Sequence, residues 1–353
     1  MDLQSIEFSF LSIFTLITFL IFLTVSKYSY KIKKGALLDK DFSKPQAFHQ
    51  FAVSRCGGLA GIITLNFFFL IHFLLFSKIL FEYILISNLM FLIGFLDDIK
   101  ININPSKRLL LMIIFLFFSI HFLPIEILNI DIVFLSNLLQ IDIFSSIFVL
   151  ICFLFIINGA NLIDGFNGLL TINLIIINLI LIFINMSNGN NEFLIFLTAQ
   201  IIILLSFLLF NFPNAKIFLG DSGSYLMGSL VGLNVIITNN LNPNYSSFFF
   251  CTLLFYLFFE VLFSFFRKII QNKSPVHPDN KHLHMLIYEK VSAVLGKGKG
   301  NYINSIIINF VYFLLVIPSL IFAKDPVISR YWFFSLIPIY VFIYLRLYRL
   351  TKN

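Results

Sequence analysis

The sequence predicts an all-α, polytopic membrane protein with about eleven transmembrane helices, or ten at the lower bound. Of its 353 residues, 59% are hydrophobic and 12% are charged, whereas a soluble globular domain carries about 25% charged residues. The length accommodates that number of spans with short connections, since each span needs roughly 20 apolar residues. The basic residues also divide unevenly between the two faces of the predicted topology.

Eleven apolar runs are the predicted helices of a single domain over residues 1–353. The first run is long enough to span and has no small-residue cleavage site behind it, so we interpret it as a span rather than a signal peptide. The segment 125–141 is apolar but broken by Glu126, Asp131 and Asn137, which predicts an external hairpin or a surface helix. The runs lie near residues 8–26, 58–76, 79–96, 109–124, 143–157, 168–186, 193–210, 225–238, 247–266, 303–322 and 331–345.

The distribution of positive charge predicts the orientation. All of the 24 Lys and Arg residues except Lys78, Lys324 and Arg330 fall on one side of this topology. The positive-inside rule makes that side cytoplasmic, so we expect the N-terminus outside and the C-terminus inside. The net charge of +7 is thereby explained by topology, and nucleic-acid binding is excluded. The three cysteines match no metal-binding spacing, and no disulfide framework is expected.

Two small groups of candidate residues flank the second and third runs. Gly57 and Gly58 open the second run and allow tight helix packing, the preferred interpretation, or the close approach of a ligand. Asp97 and Asp98 end the third run, and Lys107 follows them. Adjacent carboxylates at the end of an apolar helix repel each other unless a cation or a proton offsets them. The pair therefore predicts a divalent metal site or a general base, with a solvated helix end as the alternative.

A polar stretch from Asn158 to Leu169 separates the fifth run from the sixth. Asn158, Asn161, Asp164 and Asn167 recur at every third position, so neighbouring members share one face of a helix. Packing does not explain these amides and this carboxylate, because unsatisfied polar groups beside apolar spans are costly. We therefore expect the stretch to bind a ligand.

The connection between the seventh and eighth runs carries a further candidate site. Asn211 and Pro213 lie where the seventh run ends, and Gly220 and Asp221 begin the stretch Gly-Asp-Ser-Gly-Ser that opens the eighth. The free N–H groups and the dipole of a helix N-terminus suit a phosphate, and Asp221 would bring Mg²⁺ to that phosphate. The spacing is not that of a P-loop, and an ordinary Asp or Ser cap is the alternative.

The connection after the ninth run is rich in histidine. It contains His277, Asp279, His282 and His284, which fit a zinc site or a loop that presents them to an anionic ligand. The loop is at least as plausible, because residues two apart on a helix diverge by about 200°. Within the ninth run lies Glu260, and an intramembrane carboxylate is a functional candidate by default.

Together these groups suit a phosphate or pyrophosphate held by Mg²⁺, since phosphoryl transfer depends mainly on positioning and charge neutralisation. Their order within residues 37–290 resembles that of the polyprenyl-phosphate N-acetylhexosamine-1-phosphate transferases, glycosyltransferase family 4 of membrane enzymes. The resemblance implies that undecaprenyl phosphate attacks the β-phosphorus of a UDP-N-acetylhexosamine. UMP would leave, and the lipid-linked sugar pyrophosphate would initiate a cell-surface polysaccharide such as O-antigen.

The same resemblance implies a role for each candidate residue. Asp221 would bind Mg²⁺ with help from Asn161, with Mn²⁺ as an acceptable substitute. Asp97 would deprotonate or orient the lipid phosphate, and Asp98 would support Asp97 or the metal. The residues implied to hold the nucleotide and the pyrophosphate are Lys107, Asn158, Asp164, Asn211 and Gly220. The residues implied to contact the sugar-nucleotide phosphates are Asp279, His282 and His284.

The implied setting is the bacterial inner membrane, with the active site on its cytoplasmic face. The implied partners are undecaprenyl phosphate, a UDP-N-acetylhexosamine and membrane lipid, and a homodimer is compatible with this assignment. Met285 follows His284 where many relatives have a further histidine, which argues against the most common GlcNAc branch. Ser-Arg-Cys precedes Gly57 where the muramoyl-pentapeptide enzymes have Pro-Thr-Met, which favours the surface-polysaccharide branch.

Three alternatives stay open. Within the family, the alternative is a phospho-N-acetylmuramoyl-pentapeptide transferase of peptidoglycan synthesis. A membrane transporter or lipid flippase is the non-enzyme alternative, but transporters usually place ionisable groups near the bilayer midplane in paired repeats. A CDP-alcohol phosphotransferase is disfavoured because Asp164 and Gly165 match only part of that family's motif.

Overall fold

The computed structural model describes residues 3–35, 37–39, 52–101, 103–123, 125–274 and 279–352, and this part of the chain is almost entirely α-helical. Two short strands, β1 (Leu38–Asp39) and β2 (Val53–Ser54), pair in the antiparallel direction. The helices are α1 (Leu3–Tyr28), α2 (Gly57–Phe76), α3 (Phe81–Asp98), α4 (Pro105–Phe122), α5 (Val133–Leu139), α6 (Asp142–Ile163), α7 (Leu169–Ser187), α8 (Asn191–Asn211), α9 (Gly220–Leu241), α10 (Ser247–Leu253), α11 (Phe255–Ile270), α12 (Leu283–Leu295), α13 (Lys297–Val316) and α14 (Pro326–Lys352), with 3-10 turns at Ser29–Lys34 and Ile317–Leu320.

Each apolar run predicted from the sequence overlaps a helix, or a pair of helices, in the structure. Within the described residues, eight helices are long and apolar enough to cross a membrane, and α10 with α11 adds a ninth if that pair, bent by 74°, forms one span. The two remaining runs lie in α3 and α9, whose polar ends carry Asp97 and Asp221. The chain is thus an almost all-α, multi-pass membrane protein, and the full count of eleven spans stays a prediction.

The predicted surface helix in the segment 125–141 is confirmed as α5. None of the residues of α5 is buried, and the side chains of Val133 and Phe134 are 77% and 73% exposed. The segment before α5 is fixed by the end of α9, because the Asn240 side chain accepts a hydrogen bond from the Leu128 N–H at 2.9 Å. Hence α5 lies at the end of the bundle where α9 finishes.

Helix α9 is the core of the bundle. Nearly all of its residues from Ser222 to Asn239 are buried. Small residues allow neighbouring helices to approach it closely: a Cβ atom placed on Gly228 would lie 3.0 Å from Ala160 Cβ and 3.0 Å from Ile157 Cα, both on α6. A larger side chain at this position would push α6 away from α9.

A polar network holds α9 in register with three other helices. Asn234 on α9 accepts hydrogen bonds from Tyr83 of α3 (2.9 Å) and Gln200 of α8 (3.2 Å). Its amide group donates to Asn178 of α7 (3.0 Å) and to Gln200 (2.7 Å). Polar groups inside a membrane protein must find partners within the protein, so this network specifies one arrangement of the four helices.

The helix ends that carry the predicted site residues meet at one end of the bundle. Where α2 begins, the Gly57 N–H donates to the Phe218 carbonyl at 2.9 Å and the Gly58 N–H donates to the Leu219 carbonyl at 2.8 Å. These bonds tie the start of α2 to the start of α9. At the far end of α9, Asn240 donates to the Glu126 carbonyl at 2.7 Å, so α9 runs from the site end of the bundle to the end near α5.

Candidate active site

Asp98, the last residue of α3, fixes the start of α9. Its carboxylate is buried and accepts hydrogen bonds from the Asp221 N–H (3.0 Å), the Ser222 N–H (2.9 Å) and the Ser222 hydroxyl (2.6 Å). The first N–H groups of a helix have no partner within that helix, and a carboxylate is stabilised by the positive end of the helix dipole. Asp98 therefore acts as an N-cap supplied by another helix, and it sets the position of Asp221.

Gly220 makes this close approach possible. Its φ of +78° lies in the left-handed region, and a Cβ atom on it would lie 2.6 Å from Asp98 Oδ2. Glycine occupies that region without steric cost. Gly220, which was predicted to hold substrate, thus also has a structural role that any side chain would disturb.

We expect Gly220→Ala to lower the free energy of unfolding by roughly 2 kcal/mol or more, because it combines backbone strain with a clash against Asp98. Thermal unfolding of the purified protein in detergent measures the change. Gly298→Ala is the matched control, since a Cβ atom there meets nothing within 4 Å. Equal stability of the two variants would contradict the role assigned to Gly220.

Asp97 and Asp221 converge on one cation. Arg108 Nη1 lies 3.0 Å from Asp97 Oδ2 and 2.7 Å from Asp221 Oδ2. The three side chains are 19–28% exposed, so solutes reach them. Asp97 lies beyond the apolar run that ends at residue 96; burial raises its pKa, Asp221 raises it further, and Arg108 and Arg55 offset only part of this shift. The two carboxylates thus favour a shared cation or a proton.

The last turn of α6 completes this acidic cluster. The Asn161 side-chain amide donates to Asp221 Oδ1 at 3.0 Å and to the Ser224 hydroxyl at 2.9 Å. The two residues predicted to bind the metal are therefore adjacent. Asp164 follows directly after α6; burial raises its pKa well above the usual value, and the charges of Asp221 and Asp98 add to this effect.

Two arginines belong to the cluster although the sequence singled out neither. Arg55 donates to Asp39 Oδ2 at 2.6 Å and lies 3.8 Å from Asp98 Oδ1. Arg108 bridges the carboxylates, whereas the predicted Lys107 beside it is exposed. The available sequence signals were the position of Arg55 just before Gly57 and the two consecutive basic residues at 107–108.

Asn158 and Asn211, both predicted to bind substrate, form hydrogen bonds within the protein. The Asn158 amide donates to the Leu154 carbonyl at 2.7 Å within α6. Asn211 is buried; it accepts a hydrogen bond from the Gly168 N–H (2.7 Å) and donates to the Ile217 carbonyl (3.0 Å). Asn211 thereby joins the loop before α7 to the loop before α9, and direct contact of either residue with substrate stays a prediction.

The histidine-containing connection forms a second cluster with Glu260 of α11. Glu260 Oε1 lies 3.0 Å from His282 Nδ1, and Asp279 Oδ1 lies 3.3 Å from His282 Nε2. Arg267 donates twice to Asp279, at 2.8 and 3.1 Å. Burial would raise the pKa of Asp279, but the hydrogen bond from Arg267 and the charges of His282 and Arg267 hold it below the usual value. Carboxylates therefore face both ring nitrogens of His282.

His284 lies beside His282 but carries no charge at neutral pH. Burial lowers the pKa of His284 to about 3, and its ring stacks on that of His282 with centroids 5.4 Å apart. His284 Nδ1 lies 3.3 Å from the Tyr256 hydroxyl. His277 lies outside the described residues, and within those residues no three His, Cys, Asp or Glu side chains are arranged to hold a metal ion. The zinc site and the loop that presents these histidines to an anionic ligand therefore both stay predictions.

The polar stretch before α7 lies between the two clusters. Asn161 contacts the acidic cluster, and Phe166 packs against the His284 ring with centroids 5.7 Å apart. The Asn167 N–H donates to the Asn301 side chain of α13 at 2.8 Å. One short segment therefore connects the acidic cluster to the second cluster.

We expect Glu260→Gln to lower the free energy of unfolding by roughly 2–4 kcal/mol, because it removes the buried carboxylate that faces His282. Tyr340 and the Leu283 N–H would also lose a charged acceptor. Glu289→Gln on α12 is the matched control, since Glu289 is exposed. Thermal unfolding in detergent tests the comparison, and a variant as stable as the wild type would show that Glu260 does not hold this cluster.

These observations define a class: a multi-pass membrane protein with an oxygen-rich, charged site at one end of its helix bundle. A family model described as glycosyl transferase family 4 matches residues 80–239. An undecaprenyl-phosphate alpha-N-acetylglucosaminyl 1-phosphate transferase of Thermotoga maritima is 28% identical over 278 residues, which are 76% of this chain and 79% of that relative. A phospho-N-acetylmuramoyl-pentapeptide-transferase of Dictyoglomus turgidum is 30% identical over 235 residues, 63% of this chain and 73% of that relative.

The chain therefore belongs to glycosyl transferase family 4, and the resemblance inferred from the motifs is confirmed. The matched range contains the carboxylates of the acidic cluster from Asp97 to Asp221, together with Arg108, whereas Arg55 lies before it. The second cluster, from Glu260 to His284, lies beyond that range.

Proposed function

We propose that the protein transfers an N-acetylhexosamine 1-phosphate from a UDP-sugar to undecaprenyl phosphate, releases UMP, and so initiates a lipid-linked cell-envelope glycan. The convergence of Asp97 and Asp221 on one cation, beside the N-terminus of α9, carries this proposal. Family membership and the names of the two relatives support it. A site at the end of a membrane-spanning bundle suits a reaction between a lipid phosphate and a water-soluble nucleotide sugar.

The proposed topology has eleven spans in a bacterial inner membrane, with the N-terminus outside and the site on the cytoplasmic face. The charge distribution supports this orientation, because only Lys78, Lys324 and Arg330 of the basic residues fall on the other side. Lys78 lies between α2 and α3, and Arg330 lies in the first turns of α14. Both positions belong to the end of the bundle away from Asp221, which is consistent with the proposal.

The residues of the acidic cluster fit Mg²⁺, or Mn²⁺ in its place. The Oδ2 atoms of Asp97 and Asp221 both contact one nitrogen of Arg108, so a single cation can contact both. Mg²⁺ is usually bound through one or two carboxylates together with substrate phosphates, and it keeps several waters. The small number of protein ligands at the described site suits that mode of binding. The bound ion would supply charge neutralisation for the phosphates.

The proposed reaction is a direct displacement at phosphorus and needs no covalent enzyme intermediate. A phosphate oxygen of undecaprenyl phosphate attacks the β-phosphorus of the UDP-sugar, and the bond from that phosphorus to the bridging oxygen breaks. UMP leaves with the bridging oxygen. Asp97 accepts the proton of the lipid phosphate or orients its oxygen, and Asp98 holds the start of α9 in place.

The remaining roles are proposed by analogy with the family pattern. Lys107, Asn158, Asp164, Asn211 and Gly220 would hold the nucleotide and pyrophosphate, and Asp279, His282 and His284 would contact the sugar-nucleotide phosphates. Both histidines are buried at the start of α12, so this end of α12 has to move before they contact substrate directly.

A UMP-release assay tests the proposed function. Purified protein in detergent is incubated with undecaprenyl phosphate, Mg²⁺ and a panel of UDP-sugars that includes N-acetylglucosamine, N-acetylgalactosamine and N-acetylmuramoyl-pentapeptide. Release of UMP that requires all three components supports the proposal. Turnover of only the muramoyl-pentapeptide substrate would favour the second candidate function, to which the relative in Dictyoglomus turgidum points. Substrate counterflow in proteoliposomes without UMP release would instead indicate a transporter.

A further inference from the structure

Arg108 contacts the two carboxylates of the acidic cluster that would hold a metal ion. Its Nη1 contacts Asp97 Oδ2 at 3.0 Å and Asp221 Oδ2 at 2.7 Å. A divalent cation held by both carboxylates would compete with the guanidinium group for these two oxygens. Binding of the ion in this way would require Arg108 to move.

The surroundings of Arg108 permit such a movement. The residue lies in the first turns of α4, at the end of the bundle, and its side chain is 19% exposed. Its guanidinium carbon lies 5.7 Å from the centroid of the Tyr225 ring, a contact that positions the side chain through cation–π attraction. A long side chain can redirect its charged group through its own rotatable bonds, without a change in the backbone.

A pyrophosphate provides an alternative partner for Arg108. The guanidinium group binds phosphates with the same geometry that it uses for carboxylates. A diphosphate nucleotide bound at the start of α9 would therefore attract Arg108 from Asp97 and Asp221. The two oxygens would then be free for the metal ion.

We propose that Arg108 closes the metal site in the absence of nucleotide, and that its transfer to the substrate pyrophosphate makes the nucleotide and the metal ion bind with positive coupling. This inference rests on the proposed function, because it requires a nucleotide diphosphate and a divalent ion at this site. Coupling between two ligands is reciprocal, and it commonly amounts to about 5- to 150-fold in affinity. Each ligand should therefore raise the affinity of the protein for the other.

Binding of Mn²⁺ alone tests the inference without catalysis. Electron paramagnetic resonance of free Mn²⁺ measures its affinity for the purified protein in detergent, with and without UDP and with no lipid phosphate present. We expect Arg108→Gln to bind Mn²⁺ on the order of tenfold more tightly than the wild type when UDP is absent. We also expect UDP to increase Mn²⁺ affinity clearly in the wild type and much less in the variant.

Two further variants make the test specific. Lys100→Gln removes the same charge from an exposed side chain three residues after Asp97, and it should leave Mn²⁺ affinity within about twofold. Arg108→Met keeps an aliphatic chain against Tyr225, and its Mn²⁺ affinity should match that of Arg108→Gln. It replaces Arg108→Gln in the test if the Gln variant folds poorly. Wild-type Mn²⁺ affinity in both Arg108 variants would overturn the inference alone. Failure of every protein to bind Mn²⁺, even with UDP, would overturn the proposed metal site as well.

Discussion

Asp221→Asn is expected to reduce the rate of UMP release by about 10²–10³-fold or more, which is the effect of removing one group that stabilises charge in a transition state. Asp221 contacts Arg108 through Oδ2 and Asn161 through Oδ1, so it is central to the acidic cluster. Asparagine keeps the shape of the side chain but removes the negative charge that a cation needs. The initial rate with saturating undecaprenyl phosphate and UDP-sugar measures the effect.

The control for this prediction is Asp142→Asn. Asp142 is an exposed carboxylate in the first turn of α6, whose last turn carries Asn161. Its replacement makes the same chemical change at the opposite end of one helix, and it should leave the rate within about twofold. Activity of Asp221→Asn close to that of this control would remove Asp221 from the proposed reaction.

The positions of the two acidic candidate sites were predictable because ionisable groups at the ends of apolar runs cost free energy and therefore usually mark a functional site. Asp97 and Asp221 are far apart in the sequence, yet each ends or begins an apolar run. Because successive spans cross the membrane in opposite directions, the end of α3 and the start of α9 are predicted on the same side of the membrane. The sequence therefore predicted that these residues share a face, and the structure adds that they converge on one atom of Arg108.

Lys107 was predicted from the sequence and stays a prediction, whereas the contacts of Arg108 were not predictable from the sequence. Successive residues on a helix point about 100° apart, so only one of two consecutive basic residues faces a given neighbour. Which one does so depends on the rotation of α4 about its axis, and packing against other helices determines that rotation. The exposure of Lys107 and the contacts of Arg108 therefore had to come from the structure.

The burial of the histidine cluster was unpredictable for a related reason. The sequence placed His282 and His284 in a polar loop, where exposure was the natural expectation. Their partners are Glu260 on α11, Tyr256 on the same helix and, through Glu260, Tyr340 on α14. These contacts join segments that are distant in the chain, and the sequence around the two histidines contains no pattern that predicts them.

Asp97 and Asp98 are adjacent but make different contacts, so the same substitution should affect stability to different extents at the two positions. Asp98→Asn is expected to lower the free energy of unfolding by roughly 2–4 kcal/mol, because its amide group cannot accept all three hydrogen bonds from Asp221 and Ser222. Asp97→Asn should change stability by roughly 1 kcal/mol at most, since its ion pair with Arg108 is partly exposed. Thermal unfolding in detergent measures both effects.

Activity measurements distinguish the positioning role of Asp98 from the chemical role of Asp97. Asp97→Asn should abolish most UMP release in a protein that is nearly as stable as the wild type, since the base or orienting group for the lipid phosphate is gone. Asp98→Asn should lose activity only together with the geometry of α9, so conditions that restore its stability should recover part of the rate. If Asp97→Asn proved the less stable variant and Asp98→Asn the less active one at equal stability, the two roles would have to be exchanged.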